Sequence, residues 1–177
     1  MLNGTVAGLR ARHDSDIPIL EAELYDDVDV SLRSDPRPWR PVPPGSAASR
    51  YRVTDPAVDP ACFSVVDLAT GELAGDAVLW GVDSHNRLGH VGISLRPSFR
   101  GRGLGTDTVR VLCRYGFAIR GLNRLQAETL ADNTAMIRAA TQAGFTREGV
   151  LRQGAWVNGT FADEVILGQL ASEWDGG

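Results

Sequence analysis

The sequence predicts an α/β (α+β) domain around one mixed sheet, and three observations carry that prediction. Strand patterns come first, then strand–helix–strand–helix, then two strands about Asn158-Gly159. Strands alternating with helices build parallel pairs, whereas an Asn-Gly turn builds an antiparallel hairpin. The third observation is the segment from Gly89 to Gly105, GHVGISLRPSFRGRGLG, in which a strand ends at Arg96-Pro97 and glycines at alternate positions open a helix.

In chain order, Val6 to Arg12 alternates and predicts an opening strand. Asp14, Ser15 and Asp16 offer N-cap oxygens to a helix with Ile17, Leu20 and Leu24 on one face. Ser34 to Gly45 holds Pro36, Pro38, Pro41, Pro43 and Pro44 around Trp39, which predicts a long loop, either a linker or a wall over a site. Phe63 to Leu68 reads as a strand closed by Thr70-Gly71, and Leu73 to Val82 as another, with Gly75 placed for a bulge. Asp83 to Asn86 turns the chain into the strand that runs to the glycine loop. From Thr106 to Arg120, Val109, Leu112, Cys113, Gly116 and Phe117 recur at helical spacing, and Gly121 suits the position after the helix. Leu125 to Leu130 returns as a strand. Asp132-Asn133 starts a helix with Met136, Ile137, Ala139, Ala140 and Ala143 inward, ended by Gly144, and Leu151 to Val157 and Phe161 to Leu170 form the final hairpin.

The glycine loop is a phosphate cradle by its chemistry. Glycine permits a tight turn and close approach of a ligand, and the free amides and dipole of the following helix favour an anion. Arg100 and Arg102 add positive charge. The chain has no GxxxxGK[ST] phosphate loop, and Gly101-Gly103 and Gly103-Gly105 are followed by Thr106 and Thr108, so the dinucleotide pattern GxGxxG fails as well. What fits is [Q/R]xxGx[G/A], read as Arg100, Gly103 and Gly105.

Composition narrows the partners. At 177 residues the chain is expected to form a single domain, 1–177, able to bury a core without disulfide or metal staples. A net charge of −4 argues against nucleic acid as a partner, since that affinity needs clustered Lys and Arg. No apolar run reaches the length of a membrane span, and no secretory leader is visible, so no membrane association and a cytoplasmic location are expected. Cys62 and Cys113 stand far apart with no CxxC and no histidine at ligand spacing, so no metal site is expected, and Cys113 reads as a small core residue.

The segment DNTAMIRAATQAGFTREGVLR, Asp132 to Arg152, resembles the NxxSxxxxxxxGFxxEGxLR block of one branch of the GCN5-related N-acetyltransferase (GNAT) superfamily. That branch contains the ribosomal-protein N-terminal acetyltransferases and the spermidine acetyltransferases. The glycine loop resembles the superfamily's pyrophosphate loop, and Trp156 to Asp163 resembles its closing NGxxxD hairpin. The resemblance spans 63–170, the expected acyl-CoA-binding core, and fades over 1–60, the expected acceptor-side segment. It implies a mostly antiparallel twisted sheet of about seven strands flanked by about four helices, with two splayed parallel strands forming the acyl-CoA cleft.

Roles follow from the resemblance position by position. It implies that Ile93, Ser94 and Leu95 pair their backbone with the pantetheine arm, with a strand amide around Leu95 as oxyanion donor. Arg100, Gly101, Arg102, Gly103, Leu104, Gly105 and Thr106 would wrap the pyrophosphate. Asn133 is a family cofactor contact or a plain N-cap, which Asp132 could equally supply, and Arg138 reaches a cofactor phosphate or lies on a solvated helix face. Glu128, near the end of its strand, is the candidate general base or a solvent-facing strand-end glutamate. His90, on the face of Gly92 and Ser94, is its rival or a structural histidine. Where superfamily members with a tyrosine general acid place that tyrosine, this chain has Ala140. A leaving thiol with a pKa of about 8.5 makes a modest demand, which Ser94 or water could meet.

The expected activity is transfer of an acetyl group from acetyl-CoA, the co-substrate, directly to a primary amine on a protein N-terminus or a small molecule, within a ternary complex. The alternatives are a succinyl-CoA or other acyl-CoA transferase, and a non-catalytic CoA-binding sensor. The acceptor wall is expected from the early helices, the loop around Trp39 and the hairpin near Trp156, with Asp26, Asp27 and Asp29 either attracting a cation or forming a solvated face. A homodimer is compatible with the resemblance.

Overall fold

The computed structural model describes residues 1–35, 37–52 and 60–176. Within them eight strands form one sheet in the order β1-β2-β3-β4-β5-β6-β8-β7. They are β1 (Leu2–Asn3), β2 (Ala7–Ala11), β3 (Ala61–Asp67), β4 (Leu73–Asp83), β5 (Leu88–Leu95), β6 (Arg124–Leu130), β7 (Thr146–Val157) and β8 (Thr160–Leu170). The strand beyond the expected seven is the two-residue β1, which pairs Leu2 with Leu9 and Asn3 with Gly8. No periodicity can announce so short a segment. Every pairing is antiparallel except β5 with β6.

The helices arise where local chemistry starts and stops them. After a tight turn at Asp14–Asp16, α1 (Ile17–Leu20) runs into a wider, π-type turn at Glu21–Tyr25. Ile17, Leu20 and Leu24 are buried together with Tyr51 and Leu73. Next comes α2 (Val28–Ser34), capped by Asp27, whose carboxylate accepts the Val30 N–H at 3.1 Å. The acidic run Asp26, Asp27 and Asp29 is therefore a helix start, with acids placed against the positive end of the dipole. The proline-rich stretch that follows is irregular, as expected, and Pro36 lies outside the described residues.

Helix α3 (Leu104–Arg114) begins at Gly103 and continues through a wider turn, Tyr115–Ile119, to Gly121 at φ 64°. Helix α4 (Thr134–Gln142) is capped by Asn133 and closed by Gly144 at φ 103°. The buried faces of α3 and of α4 pack on one face of the sheet with Val91, Leu125, Ala127, Val165 and Leu167, and each leucine so buried contributes about 2 kcal/mol. Cys113 is in this core, its sulfur 3.2 Å from the Gln169 oxygen, and burial pushes its thiol up to about 12. The bulge expected at Gly75 is present: Val65 opposes Gly75 while Val66 opposes Leu73, so Ala74 is the extra residue. The final hairpin turns on Asn158 and Gly159 with φ 46° and 86°, as the Asn-Gly pair requires.

Candidate active site

The parallel pair is short. Leu88, Gly89 and His90 pair with Arg124, Leu125 and Gln126, and there the ladder ends, although β5 runs on to Leu95 and β6 to Leu130. Past His90, β5 keeps β4 on one side and β6 keeps β8 on the other, so a notch opens between them. The Arg96 N–H bonds to the Ala74 carbonyl, which sets the antiparallel alternation along β5. His90, Gly92 and Ser94 direct their backbone groups to β4, so the Ser94 backbone, expected to pair with the pantetheine arm, is turned to β4 instead, and Val91, Ile93 and Leu95 direct theirs toward the notch. The Leu95 carbonyl is taken by Arg100 Nε at 2.9 Å, leaving the Leu95 N–H facing the notch. Gly75 makes this close approach possible, because a side chain there would run into the Ser94 carbonyl.

The glycine loop lies at the open end. Gly101 and Gly103 have φ 73° and 80°, and a Cβ added at either would meet no protein atom. The loop's outer surface is thus bare backbone over open space, followed by the first amides of α3, an arrangement that fits a pyrophosphate. Gly105 faces Ile93 and Leu95 at 3.7 Å from where its Cβ would sit, bringing α3 close against β5. The two arginines differ. Arg102 donates to Asp67 at 2.8 Å and lies over the Phe99 ring, so its charge is partly spent inside the protein. Arg100 is exposed and uses one donor on Leu95. Thr106 bonds Gln142 of α4 at 3.1 Å.

The structure brings the two rival bases together. His90 and Glu128 occupy the same face of the sheet on opposite sides of the notch, with His90 Nδ1 3.7 Å from Glu128 Oε1. That nitrogen is buried and makes no hydrogen bond among the described residues. Trp80 stacks on the His90 ring at 4.5 Å, holding its plane. Gln126 Nε2 donates to Glu128 Oε1 at 2.6 Å. Glu164 on β8 completes the group: burial first, and then the Glu128 charge, push its carboxyl up. The sequence marks Glu128 and His90 but not Gln126, Glu164 or Trp80. Gln126 and Glu128 alternate on one strand, a legible signal, whereas Glu164 and Trp80 arrive through register with β6 and β5.

Other candidates separate. Asn133 is the N-cap of α4: its oxygen accepts the Met136 N–H at 3.2 Å and its amide donates to Thr129 at 2.9 Å, while Asp132 pairs with Arg33. Arg138 is exposed on α4, with no polar partner among the described residues. Ala140 is fully buried, so that position offers no acid to a thiolate. Trp39 bonds its indole N–H to the Tyr25 carbonyl and packs on that ring, which ties the proline-rich stretch to the end of the first helical segment. Trp156, 61% exposed, lies edge-on to Phe161. The α2 helix reaches from Arg33 on Asp132 at the α4 start to Asp29 near Asn158 of the hairpin turn.

Residues 8–146 match the acetyltransferase (GNAT) domain. The chain belongs to the GNAT acetyltransferase family. It is 29% identical over 114 residues to the uncharacterized N-acetyltransferase p20 of Bacillus licheniformis, covering 64% of each chain. It is 33% identical over 109 residues to the putative ribosomal N-acetyltransferase YdaF of Bacillus subtilis, covering 62% of this chain and 60% of that one. The chain thus spans about three-fifths of the length of these curated relatives. The fold matches spermidine N-acetyltransferase from Vibrio cholerae, solved with CoA and spermine, at a TM-score of 0.75 and 19% identity over 95% of this chain and 97% of that one. The family match begins at residue 8, so it takes in most of the early segment over which the resemblance was expected to fade. Among the described residues no helix is long and apolar enough to cross a membrane.

Proposed function

We propose that this chain is an acetyl-CoA-dependent N-acetyltransferase that moves an acetyl group to a primary amine by direct transfer in a ternary complex. The observation that carries the reading is the notch: the ladder stops at His90, exposing the β5 edge at Ile93 and Leu95 between the glycine loop and a carboxylate–imidazole pair. Acetyl-CoA, when bound, supplies the activated acyl carbon. The amides of the loop and of the α3 start hold its pyrophosphate, and the β5 edge holds its arm. The Leu95 N–H stabilises negative charge on the carbonyl oxygen as the nitrogen attacks.

An amine reaches the site as an ammonium ion, so a proton must leave before the nitrogen can attack. Glu128 takes it, directly or through a water, with His90 beside it. The new C–N bond forms as the C–S bond breaks, and the nitrogen's second proton passes to the departing thiolate through water or through the Ser94 hydroxyl acting as a relay that gives one proton and takes another. Relatives named as a putative ribosomal N-acetyltransferase and a spermidine N(1)-acetyltransferase support a primary amine as acceptor.

The test is a calorimetric titration with acetyl-CoA, succinyl-CoA and CoA, followed by thiol release with candidate amines. Micromolar binding of acetyl-CoA and amine-dependent thiol release are expected. Preference for succinyl-CoA would change the reaction, and binding of none would overturn the reading. In the same assay Glu128→Gln is expected to lower kcat by about 100-fold with acetyl-CoA affinity unchanged.

A further inference from the structure

We infer that Arg124 and Gln126 are positioning residues, the middle links of a hydrogen-bond relay that starts at Glu148 on β7 and fixes where the Glu128 carboxylate points. The inference rests on the reading of Glu128 as proton acceptor. Arg124, Gln126 and Glu128 are alternate residues of β6 and share one face of the sheet. The Arg124 fork grips Glu148: Nη1 donates to Oε1 at 2.8 Å and Nη2 to Oε2. The same Nη2 donates to Gln126 Oε1 at 3.0 Å.

This second bond sets a direction. A guanidinium only donates, so the Gln126 oxygen must face it, and the NH2 is left toward the notch. There it donates to Glu128 Oε1. A glutamine free to flip could instead turn its oxygen to the carboxylate and push it away. Each link therefore orients the next, from the sheet edge to the reacting group.

Gly168 supplies an independent sign that the relay is built. It lies mid-strand on β8, opposite Gln126, where glycine weakens a sheet. A Cβ at Gly168 would sit 2.5 Å from Glu148 Oε1 and 2.7 Å from Arg124 Nη2. The missing side chain is the space the ion pair occupies. Around Glu128 itself stand His90 from β5 and Glu164 from β8, so the relay brings the only hydrogen-bond donor to that carboxylate seen among the described residues.

A double-mutant cycle tests this, using thiol release from acetyl-CoA with spermidine and L-alaninamide as acceptor probes. Acetyl-CoA affinity and the 15N spectrum of the Gln126 side-chain amide are recorded alongside. Arg124→Ala and Gln126→Ala should each lower kcat by about tenfold with acetyl-CoA affinity unchanged, because misaiming a catalytic group costs rate rather than cofactor binding. In a Glu128→Gln background neither should cost anything further. Arg124→Lys, which keeps a charge for Glu148 but lacks the fork, should not restore the rate. The Gln126 amide resonances should move toward free-amide positions in Arg124→Ala.

An Arg124 that merely pins β7 would give losses that add to Glu128→Gln, or unchanged kcat, with the Gln126 amide unmoved, and that result overturns the relay. Should Arg124→Ala fail to fold, Gln126→Ala carries the cycle. If Glu128→Gln keeps full turnover, the reading of Glu128 fails by itself, and the amide spectrum of Arg124→Ala still reports whether the relay orients that carboxylate. If neither amine is acetylated, the spectrum alone decides.

Discussion

The two sides of the β5–β6 notch are held by different chemistry. On the side proposed for the cofactor the surface is backbone: Gly101 and Gly103 at positive φ, the first amides of α3, and the β5 edge at Ile93 and Leu95. Its charged side chains turn partly inward, Arg102 to Asp67 and Arg100 to the Leu95 carbonyl. On the side proposed for the acceptor the surface is side chain: His90 stacked on Trp80, Glu128 held by Gln126, Glu164 close by, and α2 spanning the end through Arg33 and Asp29. A backbone surface suits the part of a ligand that never varies, here the proposed pyrophosphate. A side-chain surface can be retuned residue by residue, so it suits the partner that differs between relatives. The first should fail when a Cβ is added, and the second when a polar contact is removed.

The largest expected effect breaks the cofactor side alone. Gly103→Val puts a β-branched side chain at φ 80° and across the loop's open surface. Acetyl-CoA affinity should fall by about 100-fold or more by calorimetry, a loss of about 2.7 kcal/mol, while the melting temperature drops by only a few degrees. Intact affinity would show that the loop does not hold the phosphates.

A smaller effect sharpens the acceptor side. The Arg33–Asp132 pair that ties α2 to the α4 start is largely exposed, at 44% and 68% side-chain accessibility, and such pairs are worth at most about 1 kcal/mol. Arg33→Ala should raise the acceptor KM by about two- to fivefold and leave acetyl-CoA affinity unchanged. A change in acetyl-CoA affinity instead would mean that the two sides are not independent.

The smallest is a matter of pH. Burial and the Glu128 charge raise the Glu164 carboxyl in the folded state above its unfolded value of about 4.3. A raised carboxyl stabilises the fold below the unfolded value, and that contribution is lost as pH rises through the folded one. Glu164→Gln, which mimics the protonated form, should therefore raise the melting temperature at pH 7 by about 1–2 °C, a gain that vanishes near pH 4. A gain that persists at pH 4 would show that charge is not its cause.

The glycine loop and the helix behind it were legible in the sequence because their features are local. Glycines at alternate positions after a strand, a helix pattern behind them, and Asn158-Gly159 at the far hairpin each depend on neighbours in the chain. Even there, Arg102 shows the limit: sequence places a charge beside the loop, and only the fold shows Asp67 of β3 taking part of it. Helix α2 went unread because an acidic run looks like a solvated face until Asp27 is seen capping Val30. Trp39 was expected at the acceptor wall, and its indole N–H is spent on Tyr25.

Local stretches of the sequence carried most of the strands and helices, the Asn-Gly turn and the glycine loop, because backbone preference and hydrophobic periodicity act over a few residues. The sequence also singled out Glu128 and His90 as rivals. The fold alone shows that they face each other at 3.7 Å, that Gln126 and Arg124 stand behind Glu128, and that the Glu128 charge adds to burial in raising the Glu164 carboxyl. Those relations depend on where β5 parts from β6 and on the register of β8, and a one-residue slip in a strand moves every side chain to the other face. Register is settled by packing across the whole sheet, and no local stretch of the chain contains it.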